Sequence, residues 1–195
     1  MTAKLPQEYL DENRIEYTEA PYTTYMLETD ETVKAELAER LEAEYQSPED
    51  KEITEILENI ATPDDFFKWM RKELNGRNRD LLQRRMLENE DLLTEMIKKR
   101  ALTNMLDDFV ESATHFFINC QADPCPWIIE NYDRMRNPYT QSMMCLVLGF
   151  RGDESHIDFL LKQAYDLMNK FPEESFDQGP IVALYMIGGV EKFLK

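Results

Sequence analysis

Laid over itself with an offset of 30 residues, the chain sets ESATHFFINCQADPCPWI against QSMMCLVLGFRGDESHI. Ser112 then meets Ser142, Phe116 meets Leu146, Phe117 meets Val147, Ile118 meets Leu148, Asp123 meets Asp153 and Trp127 meets Ile157. With Gln178 matched to Gln141, Ala183, Leu184 and Tyr185 take the place of the same apolar triplet. A short apolar layout that recurs in this way has to bury its faces against neighbours of its own kind, which constrains the fold more than any single residue does. Each spacing leaves room for two short helices and a turn.

Helical periodicity and end signals fill the frame. The run TVKAELAERLEAEY places Val33, Leu37, Leu41 and Tyr45 at helical spacing behind Asp30 as an N-cap, until Ser47-Pro48 ends it. PEDKEITEILENI sets Ile53, Ile56, Leu57 and Ile60 on one face. Thr62-Pro63 opens a helix that carries Phe66, Phe67, Trp69, Met70 and Leu74 and closes at Asn75-Gly76. Beyond it, helices are expected near 79–88, 90–102, 104–119, 125–135, 138–150, 154–170 and 178–188. The reading is all-α, with an acidic N-terminal arm bearing one amphipathic helix over 1–50 and a helical repeat domain over 51–195. Residues 1–29 of the arm show no sustained period but are tyrosine-rich, with Tyr9, Tyr17, Tyr22 and Tyr25.

The stretch NPYTQSMMCLVLGFRGDESHIDFLLKQAYDL resembles a HEAT repeat of the armadillo type. Pro138 opens its first helix, Leu146-Val147-Leu148-Gly149 ends it, Gly152-Asp153 turns, and Ile157, Leu160 and Leu161 start the second. Gly149 is expected to permit close backbone approach, Gly152 to take a left-handed turn conformation and Asp153 to cap the next helix. Ile157, Leu160, Leu161, Ala164 and Met168 would form that helix's packing stripe. The resemblance extends over roughly residues 77–195 and implies an α-α superhelix, a HEAT-like solenoid of short antiparallel helix pairs that binds partners on its concave side. After Gly188-Gly189 only VEKFLK follows, so the last inner face is expected to be hidden by dimerisation, by the arm or by a partner.

The balance of 39 acids against 22 bases, a net charge of −17, argues against general binding to phosphate backbones or anionic membranes. With no window of eighteen apolar residues and no apolar leader in the first twenty, the chain is expected in the cytoplasm, without membrane contact. Cys120, Cys125 and Cys145 fit reduced buried thiols.

No reactive constellation emerges. His115 and His156 are the only histidines and lack a triad or metal-ligand spacing. The CQADPC gap has no second pair of ligands to complete a zinc site. The pairs Asp64-Asp65, Asp107-Asp108 and Glu173-Glu174 read as acids of a helix's first turn, and NGRNR lacks the pattern of a phosphate loop. Neither a catalytic site nor a cofactor or metal is expected.

Charge is segregated instead: net −13 over residues 1–64, +3 over 65–102 and −7 over 103–195. The basic island holds Arg71, Lys72, Arg77, Arg79, Arg84, Arg85, Lys98, Lys99 and Arg100. The expected function is a non-enzymatic module that binds a protein or peptide, with Arg84, Arg85, Lys98, Lys99, Arg134, Arg136, Asp158, Lys162 and Tyr165 as candidate contact residues. The alternatives are an acidic nucleic-acid mimic, resting on the N-terminal carboxylates, and a HEAT-like DNA-repair glycosylase relative, which would need a basic concave surface. Nucleic acid as a partner is disfavoured, and a homodimer stays open.

Overall fold

The computed structural model describes Thr32, Ala35 and residues 47–193, with the side chain of Phe193 excepted. Thr32 and Ala35 are helical, and the remaining expectations for residues 1–46 lie outside the described residues. The chain divides into two units, residues 1–55 and 56–195. Every regular element among the described residues is a helix.

Within residues 47–193 ten helices follow one another: α1 Pro48–Glu58, α2 Pro63–Trp69, α3 Gly76–Glu88, α4 Glu90–Ala101, α5 Asp107–Asn119, α6 Cys125–Asn131, α7 Pro138–Arg151, α8 Ile157–Lys170, α9 Gln178–Met186 and α10 Val190–Phe193. Tight single turns at Tyr132–Arg134 and Glu154–His156 extend α6 and lead into α8. Polar caps set several starts. Thr62 Oγ1 accepts from Asp65 N at 3.3 Å with Pro63 as the first helical residue, and Asn137 accepts from Tyr139 N at 2.9 Å ahead of Pro138. The expectation that α2 runs on to Asn75-Gly76 is corrected. The helix stops at Trp69, Leu74 lies in the loop, and Asn75 caps α3 by accepting from Asn78 N at 2.9 Å. An asparagine side chain aimed at the next turn outweighed its reading as a helix stop.

In the second unit the odd-numbered helices pack in order, α3 on α5, α5 on α7 and α7 on α9, and α9 also lies against α8. The α7–α9 crossing is close. A Cβ added at Gly149 would lie 2.7 Å from Ala183 Cα, and one at Gly179 would lie 2.1 Å from Ser142 O, so both positions need a bare backbone. Gly179 N donates to Ser142 Oγ at 3.2 Å in the same contact. Gly152, by contrast, is not left-handed: its φ is −88, and among the described residues the positive-φ glycine is Gly188 at 77. Glycine at 152 is required by proximity, since a Cβ there would sit 2.5 Å from Leu148 O and 2.9 Å from His156 Nδ1.

The burial pattern of α5–α6 recurs in α7–α8, but not at one offset. Phe109, Ala113, Thr114, Phe116 and Phe117 are buried in α5, as are Thr140, Met144, Cys145, Val147 and Leu148 in α7, a shift of 31. Cys125, Ile128, Asn131, Tyr132 and Met135 correspond to Ile157, Leu160, Gln163, Ala164 and Leu167 at a shift of 32. The offset of 30 holds in the intervening turn, where Asp123 and Asp153 each accept from the amide two residues on, both at 2.9 Å. Three expected apolar-face positions lie outward, Ile56 among them at 43% exposed. Met168 is 37% exposed, its place in the stripe taken by Leu167, and Tyr185 is 70% exposed beside fully buried Ala183 and Leu184.

Candidate interaction surface

The two equivalent turns are built differently. At 152–156, Asp153 Oδ1 accepts from Ser155 N and Oγ, and His156 Nδ1 accepts from Asp153 N at 3.1 Å, closing a capping box within four residues. His156 is therefore a local staple. The turn at 120–124 is held from outside. Glu90, at the start of α4, accepts from Gln121 N at 2.8 Å and Ala122 N at 3.0 Å. Arg151, at the end of α7, donates to Cys120 O at 2.6 Å, Ile118 O at 3.0 Å and Ala122 O at 3.3 Å. Neither residue featured among the sequence candidates, because each works through partners about thirty positions away.

The cysteines lie inside this framework. All three are free and buried, and burial pushes Cys125 and Cys145 up to about 12, far from a reactive thiolate. Cys145 Sγ donates to Tyr132 Oη at 3.6 Å, and the Tyr132 ring meets Phe159 edge-on. Among the described residues, no group of three or more His, Cys, Asp or Glu side chains is placed to hold a metal ion. A cavity between α3 and α5, lined by Arg79, Gln83, Glu111 and His115 among others, has a volume of about 20 Å³, room for about one water.

The candidate contact residues differ in how far neighbours engage them. Arg85 is engaged in structure: its guanidinium pairs with Glu88 and donates to Ile60 O at 3.1 Å. Lys98 pairs with Glu95 at 2.8 Å, Lys162 with Asp166 at 3.0 Å and Asp158 with Lys192 at 3.5 Å. Arg134 donates to Asn131 Oδ1 at 2.6 Å. Arg84, Lys99, Arg136 and Tyr165 are exposed. Arg136 N donates to Leu102 O at 3.0 Å, which ties the segment before α7 to the end of α4.

Near that end of α4 lies an open groove of about 370 Å³ lined by Arg71, Arg100, Thr103, Asn104, Met105 and Leu106. Arg100 is fixed there, its guanidinium carbon 3.7 Å from the centroid of the buried Phe67 ring and its Nη2 3.6 Å from Asp64. Arg71 is exposed in the turn after α2, and among the described residues no hydrogen bond or ion pair occupies its guanidinium. Asn104 Oδ1 accepts from Leu106 N at 3.0 Å and shapes the loop, which leaves Met105 62% and Leu106 49% exposed.

No helix among the described residues is long and apolar enough to cross a membrane. Compared with protein-family models, curated proteins and solved structures, the chain finds no match.

Proposed function

We propose that the chain is a non-enzymatic protein–protein interaction module built on a HEAT-like α-α superhelix. The observation that carries this reading is the ordered packing of α3, α5, α7 and α9, each on the next, together with the recurrence of the same buried positions from α5–α6 to α7–α8. Such an array spends its apolar residues on stacking neighbours and leaves long edges of polar and charged side chains for a partner. The buried, high-pKa thiols and the staple role of His156 speak in the same direction, since they occupy in structure the groups that would otherwise be candidates for chemistry. The remaining segregated charge, an acidic N-terminal third against a basic island, is the kind of field that steers association between proteins.

The test is affinity capture from source-cell lysate by the full chain, followed by titration of the purified retained protein. A defined stoichiometry and a weaker complex with Arg84→Glu, Lys99→Glu and Arg136→Glu combined are expected. Retention of the chain's own copies alone would overturn the proposal.

A further inference from the structure

We infer that the groove between the turn after α2 and the loop after α4 is a docking site for an acidic peptide segment that carries a large apolar side chain. The inference rests on the interaction-module reading and names the partner chemistry for one part of its surface. Two guanidinium groups flank the groove, and among the described residues no carboxylate lines it, Asp64 lying beside it against Arg100 at 3.6 Å. Arg100 is held in place by its stack on Phe67 and its long, exposed pairing with Asp64, so little side-chain freedom remains to be lost when a peptide carboxylate joins or replaces Asp64 there. Arg71 presents five donors, and no hydrogen bond or ion pair among the described residues draws on them. Beside them Met105 and Leu106 stand out of the loop, two consecutive apolar side chains whose exposure serves no packing. A methionine next to a leucine makes an adaptable apolar contact for a side chain not fixed in advance. Thr103 and Asn104 line the groove between the charged and the apolar parts.

The chemistry favours a peptide over nucleic acid. The nearby aromatic rings give no open stacking platform: Phe67 is 2% exposed under Arg100, and Trp69 is 5% exposed with Lys72 Nζ 4.6 Å from its ring centroid. A polyphosphate strand also carries its charge past the groove over a chain of net charge −17, whereas a peptide needs carboxylates only where the arginines are. The apolar loop has no counterpart in a phosphate backbone.

The experiment is a fluorescence-anisotropy titration of the full chain with a fluorescein-labelled glutamate-rich peptide containing leucine. A twin with serine in place of leucine and an oligothymidine strand serve as the other probes. The leucine peptide is expected to bind, with Arg71→Glu weakening it roughly tenfold and Lys170→Glu, at an exposed position outside the groove, leaving it unchanged. Met105→Ser with Leu106→Ser is expected to abolish the preference for the leucine peptide over its twin. These side chains are exposed, so the variants keep the fold, and thermal melts verify this; Arg100 is left intact because it packs on Phe67. Equal affinity in Arg71→Glu, no peptide binding by the unmodified chain, or tighter binding of oligothymidine than of the peptide would each overturn the assignment. A partner from the lysate capture that binds Arg71→Glu as well as the parent removes the groove and leaves the module reading intact. Capture of no partner, with peptide binding intact, does the reverse.

Discussion

The helix pairs α5–α6 and α7–α8 bury the same positions and share an aspartate bond within the turn, yet the rest of each turn is secured by different means. The 152–156 turn is self-contained, with Asp153, Ser155 and His156 bonding to one another. The 120–124 turn depends on Glu90 from α4 and Arg151 from α7. Burial and the aspartate bond are therefore what the two pairs share, while the remaining turn chemistry is a local solution free to differ. The comparison also separates two sources of stability: one common to both pairs, and one that links a pair to its neighbours.

The largest effects should fall on the common part. Phe117 and Leu148 occupy equivalent, fully buried positions. Phe117→Ala is expected to cost about 3–5 kcal/mol and Leu148→Ala about 2–5 kcal/mol in denaturant unfolding. A cost below about 1 kcal/mol at either site would break the equivalence.

Arg151→Met comes next, and it should distinguish the turns. Loss of a charged donor that serves several carbonyls is expected to cost about 1–3 kcal/mol. Amide exchange at Gln121 and Ala122 should accelerate while Ser155 stays protected. Uniform acceleration in both turns would mean that Arg151 supports the whole unit and not the one loop.

The smallest effect concerns acid. The Ser155 hydroxyl and amide hold the Asp153 carboxyl below its ordinary value of 3.8, and the Cys125 amide does the same for Asp123. A depressed folded-state pKa adds stability that is fully present above the unfolded value and is lost as pH falls through the folded one. Asp153→Asn and Asp123→Asn should each flatten the fall in stability below about pH 4 in acid titrations of unfolding. An unchanged acid limb in both variants would show that the two aspartates bond equally well when neutral.

The repeat layout was readable because burial writes a period into the chain. Phe116-Phe117 and Val147-Leu148 are apolar for the same reason, and Asp123 and Asp153 close their turns alike. The register was not readable from that match, because the true shift changes from 31 to 30 to 32 across the pair. An identity such as Ser112 with Ser142 aligned the helices one residue out of phase: Ser142 is buried against Gly179, whereas Ser112 is only half-buried. The basic island was visible as composition, but which of its members stay available depends on tertiary neighbours. Arg85 turned to Ile60 and Lys98 to Glu95, and Arg71 with Arg100 came to flank the groove. Nothing local in the chain marks such choices.

The clamp on the 120–124 turn also bears on the order of events as the chain folds and unfolds. Its hydrogen bonds join Glu90 and Arg151 to a loop about thirty residues from either, so the Glu90 bonds form only once α4 has docked and the Arg151 bonds only once α7 has. Where such contacts form after the transition state, they slow unfolding far more than they speed folding. Arg151 is on this account a latch on lifetime, and Arg151→Met is expected to raise the unfolding rate while leaving the folding rate nearly unchanged in a chevron plot.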